Sequence, residues 1–315
     1  MVVPTHNRWE HLHRAALPAA LGQRDVELEI IVVDDGSADE TPQRLAEIAD
    51  PRLRVLRSAS AEGVARARNR GIAAAQAPWV AFLDDDDLWS PLKLRAQLDA
   101  LAAAAADYAY AAALFVDRAG TPLRLDPAPE PETVARALRG SDVVGGPSTV
   151  MVRTELAREL GGFEPSLSVL ADWDLWLRVA EVGRPAACRE VLVAYHEHDD
   201  NMSAWAAPRV FAELDVLVAR HALHGEVDGV RFTHWVAANQ RRAGRRRAAT
   251  RAYLRGAAGF RSPRLLMRGL AMPLGEGAMA IPARLRSLRG ERSEPPPMPE
   301  WLHAYRAGPV GRACA

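Results

Sequence analysis

Two short apolar runs each end abruptly on carboxylates: Ile30-Ile31-Val32-Val33 on Asp34-Asp35, and Val80-Ala81-Phe82-Leu83 on Asp84-Asp85-Asp86-Asp87. Each run reads as a buried strand. Like charges at this spacing raise each other's proton affinity and repel. Six acids at the ends of two strands therefore imply a cation or a donor-rich ligand between them.

The surrounding pattern alternates short β-like runs with helical periodicity, which predicts an α/β fold with a mostly parallel sheet flanked by helices. Met1-Val2-Val3 reads as the first strand and Pro4-Thr5-His6-Asn7 as its loop, with a helix over residues 10–21. Strands follow at 29–33, 54–56 and 80–83, separated by helices near 39–49 and 64–75. Ser90 and Pro91 are suited to cap and start the next helix. Each acidic cluster then lies just past the carboxyl end of a strand, where open α/β sheets bind ligands. Further strands are expected at 109–116, 148–153 and 191–196. Between the last two, Asp172 opens a helix in which Trp173, Trp176, Leu177 and Ala180 recur at core spacing.

Composition narrows the class. The chain has 315 residues, enough for one large domain or one domain plus an appendage, and only two cysteines, Cys188 and Cys314. These are too few for a disulfide framework and suit a reducing, cytoplasmic compartment. No apolar run reaches the roughly 18 residues a spanning helix needs. The net charge of zero conceals a split: residues 231–290 hold fourteen Arg, no Lys and one acid, Glu276, hence about +13. That segment is either a solvated helical face or a surface for anionic lipid or a phosphate-bearing acceptor. Nucleic acid is disfavoured, because the Arg run lacks interleaved aromatics and a reader motif. The expected organisation is a catalytic domain over 1–205, a basic helical extension over 206–290 and a Pro-rich, disordered tail over 291–315.

An ordered set of motifs gives a more specific reading. Val3-Pro4-Thr5-His6-Asn7-Arg8, Val32-Val33-Asp34-Asp35-Gly36-Ser37, Gly63 with Ala67-Arg68-Asn69-Arg70-Gly71, and Phe82-Leu83 with the four aspartates come first. Gly161-Gly162-Phe163, the segment from Asp172 to Arg178, and His196-Glu197-His198 follow. Over residues 1 to about 205 this set resembles the family 2 glycosyltransferases, whose GT-A fold is a Rossmann-like nucleotide-sugar domain.

The resemblance implies an inverting, metal-dependent transfer of a sugar from a nucleotide-diphosphate donor of UDP, GDP or dTDP type. The acceptor would be a hydroxyl on a glycan or lipid-linked glycan. Asp84 would accept from the ribose, and Asp85 or Asp86 would bind Mn²⁺ or Mg²⁺, the register within the four aspartates being open. Such ions use one or two carboxylates and take phosphate and water for the rest. The resemblance further implies Asp35 at the base ring with Pro4, Thr5 and Asn7 in the same pocket, Arg68 near the diphosphate and His198 near the metal. Asp172 would be the general base, since an attacking alcohol must lose its proton.

Two departures stand out. Ala171 occupies a position where Glu is usual, which puts acceptor binding or orientation of the base in question. The first strand also has almost nothing before it, so either a short strand is tolerated or the true start lies upstream. Two other readings stay open. A nucleotidyltransferase would show a Gly-rich basic loop after the first strand, where this chain has Pro4-Thr5-His6-Asn7. A sugar-nucleotide-binding protein without turnover would bind donor and never hydrolyse it. For the enzyme, the expected place is the cytoplasm, peripherally at the inner membrane face through residues 231–290.

Overall fold

In the computed structural model, which describes residues 1–197, 207–274 and 296–307, the chain divides into two compact units. The first takes residues 1–138, 142–196 and 296–307. The second takes 139–141 and the described residues from 197 to 274.

In the first unit, β1 (Val2–Thr5), β2 (Ile30–Asp34) and β3 (Leu53–Arg57) form a parallel sheet in the order β1-β2-β3. Every residue of β1 and β2 is buried, as expected for a parallel sheet covered on both faces. Pro4 and Thr5, read from sequence as loop, extend β1 and lie opposite Val33 and Asp34. Cover comes from α1 (Trp9–His11), which runs through the π-helical Leu12–Ala16 into α2 (Leu17–Leu21), and from α3 (Thr41–Ala46) and α4 (Val64–Ala74).

The second sheet of this unit is mixed. Its strands are β4 (Trp79–Ala81), β5 (Leu88–Trp89), β6 (Tyr108–Val116), β7 (Pro122–Asp126), β8 (Val150–Arg153) and β9 (Pro185–His196), in the order β4-β8-β6-β9-β5 with β7 on β6. Here β6 and β9 pair in parallel, while the other pairings are antiparallel. A parallel bridge between Val2 and Phe82 joins the two sheets, and the Leu83 N–H donates to the Val2 carbonyl at 3.0 Å. β1 thus has β2 on one side and the end of β4 on the other. The chain reverses its direction of winding at β1, and a crevice opens beyond the carboxyl ends of strands at such a switch point. The loops after β1, β2 and β4 all leave from that edge.

The helices of the second half are α5 (Lys93–Ala104), α6 (Pro131–Gly140), α7 (Thr154–Glu159) and α8 (Ala171–Val182). Ser90 does not cap α5 in the simple way its sequence suggests. The helix begins at Lys93, and the Leu94 N–H is taken by Gln23 Oε1 at 3.1 Å, a partner far away in sequence. The core of α8 follows its periodicity: Trp173, Trp176 and Leu177 are buried, and the two indoles donate to the carbonyls of Leu138 and Gly145.

The second unit is helical where described: α9 (Ala207–Arg220), α10 (Gly229–Arg242), α11 (Arg246–Gly259) and α12 (Pro263–Ala271). Asp228 caps α10 by accepting from the Arg231 N–H at 2.9 Å.

The expectation of a disordered tail over 291–315 is corrected in its described part. Residues 296–307 include α13 (Glu300–Ala307), which belongs to the first unit. Leu302 is buried beside Leu88, Leu114, Val116 and Ala194, and the Trp301 indole donates to the Val191 carbonyl at 2.8 Å. Pro296 and Pro297 lie outside any helix, but Met298, Trp301, Leu302 and Tyr305 beyond them carry enough apolar surface to anchor a helix.

Candidate active site

The loops on the carboxyl edge are tied to one another before any ligand is considered. Asn7, with φ 52°, turns the chain after β1 in the left-handed region that Asn tolerates. Its N–H donates to Ser37 Oγ, and its Oδ1 accepts from the N–H groups of Ala38 and Asp39 at 2.7 and 3.3 Å. After β2, the Asp35 carboxylate accepts from the N–H groups of Glu62 and Gly63, the closest at 2.7 Å. Gly36 is needed for this closure, because its φ is +71° and an added Cβ would meet the Ser60 carbonyl carbon at 2.5 Å. Asp34, buried in β2, accepts from the Ser37 N–H at 2.9 Å and pairs with Arg57 at 3.4 Å.

The four aspartates after β4 do not share one ion. Asp84 pairs with Arg68, Nη2 to Oδ1 at 2.5 Å. Asp85 accepts from the Thr5 hydroxyl at 2.9 Å and lies 3.3 Å from Arg8 Nε. Asp86 accepts from Arg8 Nη2 at 2.5 Å, and its carbonyl oxygen is 3.1 Å from His196 Nδ1. Asp87 accepts from the Ser148 hydroxyl at 2.5 Å, while the same Oγ takes the Asp84 N–H at 3.0 Å. The repulsion inferred from the sequence is thus eased by two arginines, Arg8 and Arg68, and two hydroxyls, those of Thr5 and Ser148.

Burial pushes the Asp85 carboxyl up to about 8, with Arg8 and Thr5 opposing and Asp86 and Asp84 reinforcing. Asp87 is raised well above the carboxylate range, again by burial first.

Asp172 opens α8, accepting from the Trp173 N–H at 2.8 Å. Burial raises its carboxyl to about 6, the Arg68 guanidinium pulls it back down, and the Asp84 carboxylate pushes it up again. Arg68 therefore acts electrostatically on both Asp84 and Asp172. Its position is fixed from behind: the guanidinium stands 5.1 Å from the Phe163 ring centroid, and Phe163 packs edge-on against Phe82 and Trp176. Asn69 holds the Phe163 backbone by both N–H and C=O at 2.7 Å. Arg178, paired with the fully buried Asp174, donates to the carbonyls of Leu160 and Gly162 at 2.6 and 2.7 Å. The motifs around Arg68, Phe163 and Asp172 are thus one interlocked support.

Seven of the residues singled out from sequence, Pro4, Thr5, Asp35, Arg68, Asp84, Asp85 and Asp86, lie on or beside this edge. Asn7 is there too, with its carboxamide oxygen occupied by the neighbouring loop. His198 lies outside the described residues. Ala171, in the position where Glu is usual, is buried and brings no polar group beside Asp172.

Sequence reading missed two participants. Arg8 stands inside a quoted motif, and its charge opposite an acidic run was the available signal. Ser148 is more than 60 residues from its partners and carried none.

Among the described residues no group of three or more His, Cys, Asp or Glu is arranged to hold a metal ion. Asp85 and Asp86 nevertheless share one cation already, the Arg8 guanidinium. A pair of carboxylates facing a common positive charge fits the small share of ligands that Mg²⁺ or Mn²⁺ takes from protein when phosphates supply the rest.

The glycosyl transferase family 2 model matches residues 1–161, which contain β1 to β8 and both acidic clusters. The chain belongs to this family. Its fold is accordingly GT-A. Relatives include the putative teichuronic acid biosynthesis glycosyltransferase TuaG of Bacillus subtilis, 29% identical over 69% of this chain and 88% of that protein. The succinoglycan biosynthesis protein ExoO of Rhizobium meliloti is 43% identical over 34% of this chain, but the match spans only 31% of ExoO.

Among solved structures, Staphylococcus aureus TarS 1-349 in complex with UDP-GlcNAc aligns at TM-score 0.59 and 21% identity, over 76% of this chain and 71% of that one. The mannosyltransferase PcManGT of Pyrobaculum calidifontis, in complex with GDP-Man and Mn²⁺, aligns at 0.53 and 22%, over 92% and 87%. At these identities the two structures speak for the fold.

Proposed function

We propose that this family 2 member transfers a sugar from a nucleotide-diphosphate donor to an acceptor hydroxyl by one direct displacement, with inversion at the anomeric carbon. The observation that carries the reading is the placement of Arg68, paired with Asp84 on the strand edge and electrostatically coupled to Asp172 at the start of α8. A donor-side acid and a candidate base thus face one positive charge.

In this reading Asp35 and the β1 loop, with Pro4, Thr5 and Asn7, line the pocket for the nucleoside, and Asp84 accepts from the ribose. Arg68 balances the diphosphate, and Asp85 with Asp86 holds Mn²⁺ or Mg²⁺. Such an ion supplies Lewis-acid stabilisation of the departing diphosphate. Asp172 takes the acceptor proton. Burial that raises its carboxyl to about 6 makes it a stronger base than an exposed aspartate while leaving it ionised at neutral pH.

The sugar-nucleotide complexes of TarS and PcManGT support a donor of UDP or GDP type. TuaG and ExoO, named for teichuronic acid and succinoglycan biosynthesis, support a glycan acceptor, free or lipid-linked in this reading. The test is donor hydrolysis and transfer with and without Mn²⁺. Metal-stimulated release of the nucleoside diphosphate agrees with the reading, and donor binding with no release under any condition rejects it.

One observation favours a membrane-surface role for the second unit. On α12, Leu266, Met267 and Leu270 are 45%, 66% and 59% exposed, with Arg264 and Arg268 on the same helix. Among the described residues no helix is long and apolar enough to cross a membrane. Exposed apolar side chains beside arginines suit shallow insertion into an anionic leaflet. Co-sedimentation with vesicles should rise with anionic lipid and fall for Met267→Glu with Leu270→Glu. Binding indifferent to both changes rejects this role.

A further inference from the structure

Arg8 bridges Asp85 and Asp86, and the way it does so points beyond a structural ion pair. Its backbone is fixed on both sides: Asn7 is bound to the loop after β2, the Trp9 N–H approaches Asp39 Oδ2 at 3.4 Å, and the Arg8 carbonyl accepts from the Leu12 N–H at 3.0 Å. Only the side chain is left to move, and it reaches across to the loop after β4. There Nη2 meets Asp86 Oδ2 at 2.5 Å, a charge-assisted bond of full strength. Nε, by contrast, is buried 3.3 Å from Asp85 Oδ1 without the alignment of a hydrogen bond, and no other described residue serves it. A buried donor left unsatisfied is costly, so this arrangement is one that a better anion would relax.

We infer that Arg8 is a resident counter-cation: it holds Asp85 and Asp86 together in the donor-free protein and exchanges them for the donor diphosphate when a divalent ion arrives. The inference rests on reading Asp85 and Asp86 as the metal-binding pair. Two cations cannot both sit on the same carboxylate oxygens at contact distance, so a divalent ion alone has to compete with Arg8. A divalent ion accompanied by a nucleoside diphosphate does not, because the phosphates offer the guanidinium a fork-shaped partner in return. The side chain, about a quarter exposed, lies at the rim where such a swing has room. The consequence is coupling: metal and diphosphate bind together far better than either binds alone, so metal without donor leaves the site in its resting pairing.

The experiment is calorimetric titration of Mn²⁺ alone, and of UDP and GDP with and without Mn²⁺, into the wild-type chain, Arg8→Met and Arg8→Lys, with thermal denaturation confirming that each is folded. Arg8→Met should bind Mn²⁺ alone at least tenfold more tightly than wild type, bind the Mn²⁺-nucleotide at least tenfold more weakly, and so lose most of the coupling. Arg8→Lys, which keeps the charge and loses the fork, should fall between, and it carries the test if Arg8→Met does not fold. Wild-type Mn²⁺ affinity in both variants would overturn the inference while leaving the metal-binding pair intact. Absence of Mn²⁺ binding in wild type and variants, with nucleotide present, would overturn the metal-binding reading and the inference with it.

Discussion

Arg68 and Asp84 meet at 2.5 Å across the carboxyl edge of the sheet, and the same guanidinium lowers the proton affinity of Asp172. One arginine therefore acts on both Asp84 and Asp172, the proposed donor-side acid and the proposed base. It stands there because Phe163 backs it, and Phe163 is held by Asn69.

The role proposed for Asp172 should declare itself in the pH profile. With the Asp172 carboxyl near 6, the ionised form dominates above that pH, so kcat/KM should fall tenfold per unit below about 6 and level off above it. Asp172→Asn should lower transfer by about 10²–10⁴-fold while donor binding, read by calorimetry, stays within a factor of a few.

Removing Arg68 should move that limb. Arg68→Met deletes the positive charge that holds the Asp172 carboxyl down, so the acid limb should shift to higher pH in addition to any loss of donor affinity. An unchanged limb in a folded variant would show that Arg68 does not act on the base.

The Phe163 turn is expected to be intolerant. Gly162 has φ +69°, and an added Cβ would lie 2.2 Å from Asn69 Oδ1. Gly162→Ala should cost at least about 1–3 kcal/mol from backbone strain alone. Asn69→Ala should cost about 1–3 kcal/mol through two lost hydrogen bonds to the Phe163 backbone. Denaturant unfolding measures both, and Asn69→Ala should also impair activity by loosening the support of Arg68.

Asp85 sets a stability trend with pH. Its carboxyl is raised from 3.8 to about 8, so between these values the folded state holds more protons than the unfolded one, and stability from this group falls as pH rises. Metal-free protein should lose stability across that window, Asp85→Asn should flatten the loss, and Mn²⁺ together with UDP or GDP at pH 8 should offset it in wild type but not in Asp85→Asn.

The C-terminal helix is testable in the same way. Leu302 is buried in the first unit, and Leu302→Ala should cost about 2–5 kcal/mol, a fall in Tm that a disordered tail would not produce.

Much of this was legible in the sequence because it was local. Continuous apolar runs ending in acids announced β2 and β4, and the i, i+3, i+4 spacing of Trp173, Trp176 and Leu177 announced the buried face of α8. What escaped depended on partners distant in sequence. The Gln23 cap on α5, the Ser148 bridge between Asp84 and Asp87, and the Arg8 hold on Asp85 and Asp86 exist only once β1, β4 and β8 are side by side. The six carboxylates suggested a cation or a donor-rich ligand between them, and folding supplies them with internal partners, Arg8 serving both Asp85 and Asp86. The helix at 300–307 was hidden behind a proline run whose breaking power was read too far along the chain.

The most direct measurement is thermal denaturation with a panel of UDP-, GDP- and dTDP-sugars, with and without Mn²⁺, on wild type and on Asp85→Asn with Asp86→Asn. The account predicts that at least one sugar nucleotide raises Tm by several degrees only when Mn²⁺ is present, and that the double variant loses this response. No stabilisation by any of them, or the same stabilisation in the double variant, would contradict it.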